Sequence, residues 1–274
     1  MGPKGRSWLL WIALAVALSP ALIDWVRQVA TSPWARGAAV FPLLLAWSVR
    51  DDASPVRPKR DGFAWLALGL ALTLIGVGGG MPRVGRPGIA LAAIGLARAI
   101  GFPSTPRMLL AAFAIPIPRQ VLATLAPGLE AAVAGLVARA ATAAGVAAQL
   151  DESRVAVLYL TAPAGTLELF PGDGGISLAW SFAGIGWFTA VQRGAAIPAA
   201  LRAASGPMLV AFALQALVLA LACGATLLGA AAFARGLLDH CVLVATLVAL
   251  GVAFRSLRPL ESGSGAARPL RSSA

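Results

Sequence analysis

The chain has 274 residues, of which 59% are hydrophobic and only 12% charged, and its mean hydropathy is +0.82. Soluble domains typically have about a quarter of their residues charged, so this balance excludes an ordinary soluble globule and reads as a polytopic membrane protein. The net charge of +11 does not imply nucleic acid, because the arginines are spread among loops and no basic–aromatic interleaving occurs.

Residues 7–26 follow Lys4 and Arg6 and are apolar for nearly the length needed to cross about 30 Å of hydrocarbon. The basic-then-apolar order also fits a cleaved signal peptide, but further hydrophobic spans keep following it. Asp24, Trp25 and Arg27 close the span, with the tryptophan suited to headgroup level. Residues 37–49, containing FPLLLAW, form a second span, and residues 63–77 a third. The chain turns at Gly78-Gly79-Gly80 and Pro82. GVGGGMPRVG is no phosphate loop, since it lacks the closing Lys-Ser/Thr. Residues 88–100 make the fourth span and 108–117 a fifth, which Pro116 and Pro118 break.

Residues 127–148 are alanine-rich with apolar residues at helical spacing, which predicts a helix at the membrane surface. VAVLYL and TLELF, separated by Pro163–Gly165, predict a β-hairpin, followed by an acidic turn at 171–175. Three more apolar stretches, 176–191, 206–233 and 237–254, lead to a basic, Ser/Gly-rich tail expected to be disordered. The expected fold is therefore an all-α polytopic membrane protein. It has about eight transmembrane helices and a small extracytoplasmic helix-plus-β-hairpin insertion. Its parts are 1–118, 119–175, 176–255 and the tail 256–274.

Eight spans put both termini on one side. The positive-inside rule makes that side cytoplasmic, because it collects fourteen of the 22 basic residues. The hairpin then faces outward, as do Phe182 and His240. Arg- and Ala-rich, Lys-poor usage fits a bacterial chain, which would place it in the inner membrane.

In that order and spacing, several stretches resemble the exosortase/archaeosortase family of membrane transpeptidases. SPALIDWV at 19–26 and SPWARGAAVFPLLLAWSVR at 32–50 are similar to the family's N-terminal pattern. RMLLAAFAIPIP at 107–118 resembles its most recognisable stretch. GISLAWSFAGIGWF at 175–188 stands where the family has its nucleophile motif. The resemblance implies substrates that are exported proteins with C-terminal transmembrane sorting tails, processed by an outward-facing cysteine, arginine and histidine. His240 falls at the histidine position, Phe182 at the cysteine position, and the arginine position falls near Leu217. A phenylalanine cannot attack a carbonyl. One of the three catalytic positions is thus retained.

A thiolate needs a base and an oxyanion partner for acyl transfer, and the nearby polar residues are the available replacements. Ser181 adjoins Phe182 and is a candidate replacement nucleophile, though helix neighbours point about 100° apart. A serine there also fits a bond back to a helix carbonyl. Cys241 adjoins His240 on the same helix, and both it and Cys223 fit inert packing. Arg119 and Gln215 are candidate substrate-binding residues; the alternatives are interfacial snorkelling for the first and a helix-to-helix hydrogen bond for the second. Two cysteines and one histidine give no metal spacing, so neither metal nor cofactor is expected. Expected partners are tail-bearing exported proteins and membrane lipid, with no nucleic acid. Two accounts stand: a divergent peptidase with another nucleophile, or a non-catalytic relative that binds tails or a partner. A transporter is a third class, weakened by the near absence of mid-membrane charge.

Overall fold

The structure is a computed structural model and describes residues 3–50, 57–101, 103–117, 119–143, 148–151, 157–160, 165–168 and 175–257. The chain opens with α1 (Pro3–Ala17) and α2 (Ser19–Thr31). Pro20, at the second position of α2, cannot donate to the carbonyl of Val16. Trp8–Ala17 and α2 accordingly meet at 72°. A 3₁₀ segment, η1 (Pro33–Ala39), then feeds α3 (Val40–Arg50).

Helices α4 (Asp61–Gly78) and α5 (Pro82–Ile100) form a tight antiparallel pair. Gly62, Gly69 and Gly76 recur every seven residues on α4 and lie against Ala99, Ala92 and Gly85 on α5. A side chain at any of the three would overlap the opposing backbone, so the contact depends on small residues. Thr73 Oγ1 donates within α4 to the Gly69 carbonyl at 2.9 Å and lies 3.3 Å from the Gly85 carbonyl across the seam. Asp61 pairs with Arg98 at one end of the hairpin. Near the other end, Arg86 Nε donates to Asp24 Oδ2 at 2.8 Å and ties α5 to α2.

Two short helices, α6 (Thr105–Met108) and α7 (Leu110–Phe113), precede the IPIP break, and α8 (Arg119–Ala143) follows it. Three strands come next: β1 (Ala148–Asp151), β2 (Val157–Leu160) and β3 (Gly165–Glu168). They form one antiparallel sheet in the order β1-β2-β3, with Leu150 opposite Leu158 and Leu158 opposite Leu167. The chain ends in α9 (Ile176–Gln192), α10 (Ile197–Leu227) and α11 (Ala231–Leu257). Helix α9 is the most enclosed, with thirteen of its seventeen residues buried.

The expected fold class is corrected on two counts. Among the described residues three helices, α4, α10 and α11, are long and apolar enough to cross a membrane, or four if the bent Trp8–Thr31 pair counts as one span. Eight transmembrane helices are not what these residues form. Apolar composition alone overcounted, because at 1.5 Å per residue the eleven residues of α3 reach only about 17 Å. Helices α6 and α7 have four residues each, and α5 carries three arginines and Pro87. The chain remains a membrane protein on the strength of its long apolar helices. The second correction concerns the insertion. The strands expected from VAVLYL and TLELF are β2 and β3, and a further strand, AQLD, pairs with β2 and makes the sheet three-stranded. The acidic turn at 171–174 and the tail from 258 onward lie outside the described residues.

Contacts sort the helices by end. Arg107 donates to the Ser48 carbonyl and Trp187 Nε1 to the Pro106 carbonyl at 2.9 Å, while Arg193 Nη2 reaches the Ser256 carbonyl at 3.2 Å. The C-terminal ends of α3, α9 and α11 therefore meet on one side, with Trp47 and Phe188 both edge-on to Phe254.

A candidate binding groove

Helices α9, α10 and α11 enclose a groove of about 850 Å³ with almost wholly apolar walls. Its wall on α11 runs from Leu237 to Ala253, about 24 Å at helical rise. The contributing α11 positions fall at spacings of three and four, one continuous helix face. On α9 the wall is made by Phe182, Ile185, Gly186 and Thr189. The base of the groove depends on a close crossing. Pro207 lies inside α10 and has no N–H, so the Ala203 carbonyl loses its helical donor. Gly186 of α9 packs into that place, where a Cβ would stand 2.7 Å from the Ala203 oxygen and 3.1 Å from Pro207 Cγ.

Phe182 lines the groove and is itself 7% exposed, so the position expected of a nucleophile is filled by a ring. His240 stands at the groove's exposed edge, with Nδ1 2.9 Å from the Gly236 carbonyl. A carbonyl only accepts, so the neutral ring holds its proton on Nδ1 and leaves Nε2 as an acceptor. Cys241 also lines the groove. Its thiol lies 3.2 Å from the Leu238 carbonyl and 3.6 Å from Gln215 Oε1, within hydrogen-bonding reach of both acceptors.

Gln215, a candidate substrate contact, is 1% exposed and bridges α10 to α11 through that thiol. Ser181 does not reach the groove. It is 3% exposed, its hydroxyl donates to the Ser177 carbonyl at 3.1 Å, and it faces Gly37 of η1. A Cβ on Gly37 would overlap the Ser181 hydroxyl and stand 3.2 Å from Thr246 Oγ1, so this is a packed seam. Arg119 opens α8, and its side chain lies outside the described residues. The structure thus brings Phe182, His240, Cys241 and Gln215 to one region and sets Ser181 on another face.

A polar cluster on the opposite side of α11 was not legible in the sequence as a unit. Arg235 pairs with Asp239 one turn away, with Nε donating to Oδ1 at 2.8 Å. Arg36 of η1 donates to the Asp239 carbonyl at 3.2 Å. The i, i+4 spacing of Arg235 and Asp239 was the available signal; the arrival of Arg36 from 203 residues away had none. No group of three His, Cys, Asp or Glu side chains able to hold a metal occurs among the described residues. No protein-family model, characterised protein or solved structure matches the chain.

Proposed function

We propose that the chain is a membrane-embedded binding protein of the exosortase/archaeosortase type. It holds the apolar C-terminal tail of an exported protein in the groove between α9, α10 and α11 and does not cut it. The observation that carries this reading is the pairing of an apolar-walled, 850 Å³ groove with Phe182 at the position where the resemblance calls for a thiol. An apolar segment within the bilayer gains little from burial as such, so recognition rests on shape and close packing along the α11 face. Ser181 supports no acyl transfer, because its hydroxyl is buried in a different seam. In this reading the protein resides in a bacterial inner membrane with both termini cytoplasmic, and the sheet and His240 face outward.

The test is a photo-crosslinking residue at Val248, which is 63% exposed within the groove wall, in cells that co-express a tail-bearing substrate. An intact tail crosslinked at Val248 and not at Leu74, 73% exposed on α4, is the expected result. A shortened tail whose production stops in Cys241→Ser would replace this reading with a peptidase that uses Cys241. Equal crosslinking at both positions would remove the groove from the account.

A further inference from the structure

The helix ends that meet at Arg193 and Ser256 carry a marked excess of positive charge. Among the described residues this end holds eight basic side chains against one carboxylate, Asp61, and that carboxylate is already paired with Arg98. Arg57, Lys59, Arg60, Arg193, Arg202 and Arg255 are all exposed there. Three of them stand at helix ends that converge. Val191, Ala200 and Leu257 pack in one buried cluster, which brings the end of α9, the start of α10 and the end of α11 together. Arg193, Arg202 and Arg255, each two residues along the chain from one of these three, are exposed at those helix ends. Arg193 is held in place by the Ser256 carbonyl at 3.2 Å. Beside it, the Gln192 Nε2 amide is buried with no hydrogen-bond partner, a donor without an acceptor.

We propose that this patch binds the phosphate of anionic phospholipid headgroups, with Arg193, Arg202 and Arg255 as its cationic contacts. Guanidinium groups present forked donors suited to phosphate oxygens. The patch also lies at the ends of α10 and α11, two of the apolar helices, which is the depth at which a leaflet's headgroups lie. An acidic protein would find the same charge but not this depth, so a lipid is the better occupant. The site also orients the molecule, because it assigns this end to the more anionic leaflet. The proposal is independent of tail binding and needs only the membrane.

The full chain is purified from membranes of phosphatidylcholine mixed with phosphatidylglycerol, and the lipids it retains are weighed by native mass spectrometry. Retention of phosphatidylglycerol over phosphatidylcholine by about fivefold or more is expected. It should fall to near parity in Arg193→Gln/Arg202→Gln/Arg255→Gln and persist in Arg27→Gln/Arg83→Gln, whose exposed arginines lie toward the other end. If the triple variant is not monodisperse, Arg202→Gln alone, on an exposed helical turn, should give a partial loss. No enrichment in the wild type, or equal loss in the Arg27/Arg83 control, overturns the proposal. So does abolition of the enrichment by inorganic phosphate at matched ionic strength, which would assign the patch to free phosphate.

Discussion

The α4–α5 seam makes a sharp mechanical prediction through Gly69→Ala. A methyl group at Gly69 would overlap the Ala92 backbone nitrogen and stand 2.7 Å from its Cα and 2.8 Å from its Cβ. Carbon contacts are comfortable near 3.5–4.0 Å, so the helices must part by about 1 Å or bend. Overpacking of this kind costs about 1–3 kcal/mol, while alanine returns up to about 1 kcal/mol of helix propensity over glycine. Parting the helices also lengthens the contact of Thr73 with the Gly85 carbonyl, already 3.3 Å. The balance is a loss of about 1–2 kcal/mol, or a drop of a few degrees in melting temperature at roughly 2–4 °C per kcal/mol. Gly251→Ala is the matched control, because nothing lies within 4 Å of the added methyl and the position is inside α11. Thermal unfolding of the two purified variants in one detergent is the assay. A Gly69→Ala protein as stable as Gly251→Ala would refute the close-packed seam.

Further expectations concern the groove and its surroundings. Ala249→Trp should abolish tail crosslinking at Val248 by filling the groove, with the protein's melting temperature unchanged within about 2 °C. Gly186→Val should lower the melting temperature and also weaken tail capture, because its side chain meets the Ala203 carbonyl and Pro207 and forces α9 off α10. Ser181→Ala should leave capture of the tail unchanged, since the hydroxyl bonds back to the Ser177 carbonyl, away from the groove. Gly37→Ala, by contrast, should destabilise the chain by about 1–3 kcal/mol in a chemical-denaturation series, because the methyl meets Ser181, Val242 and Thr246.

Sequence and structure agree best where a single physical cue decides the outcome. Long, predominantly apolar stretches became α4, α10 and α11, and the IPIP prolines stand just beyond the end of α7. Span counting failed because hydropathy does not measure unbroken helix. Pro106 sits in the first turn of α6, a turn at Leu109 separates α6 from α7, Pro116 lies just past α7, and the 3₁₀ segment at Pro33–Ala39 shortens α3. Helix α5 was legible only as part of a span, since its glycines mark a partner rather than a lipid face. At the site, the side-by-side positions of Phe182 and Ser181 predicted divergent side chains, and the two do face different neighbours. The groove itself was illegible, because its α11 wall is an ordinary row of valines and alanines whose meaning depends on where α10 lies. The Arg36 contact with Asp239 joins residues that no local pattern connects.

The glycine seam also bears on how the chain enters a membrane. Helix α4 has enough apolar length to insert alone, whereas α5 carries Arg83, Arg86, Arg98 and an internal proline. Each arginine lowers the tendency of an isolated helix to partition into lipid, most at its centre and least at its ends. The two helices meet along nearly their whole length, and the polar groups of α5 pair with Asp61 at one end and Asp24 at the other. The pair is therefore best understood as a helical hairpin that partitions as a unit, with α4 carrying α5 in. Translation halted before Gly80 should leave α4 inserted, while α5 expressed without α4 should stay outside the bilayer. An assembly defect at Gly69 would then act during biogenesis, before any property of the finished groove could be tested.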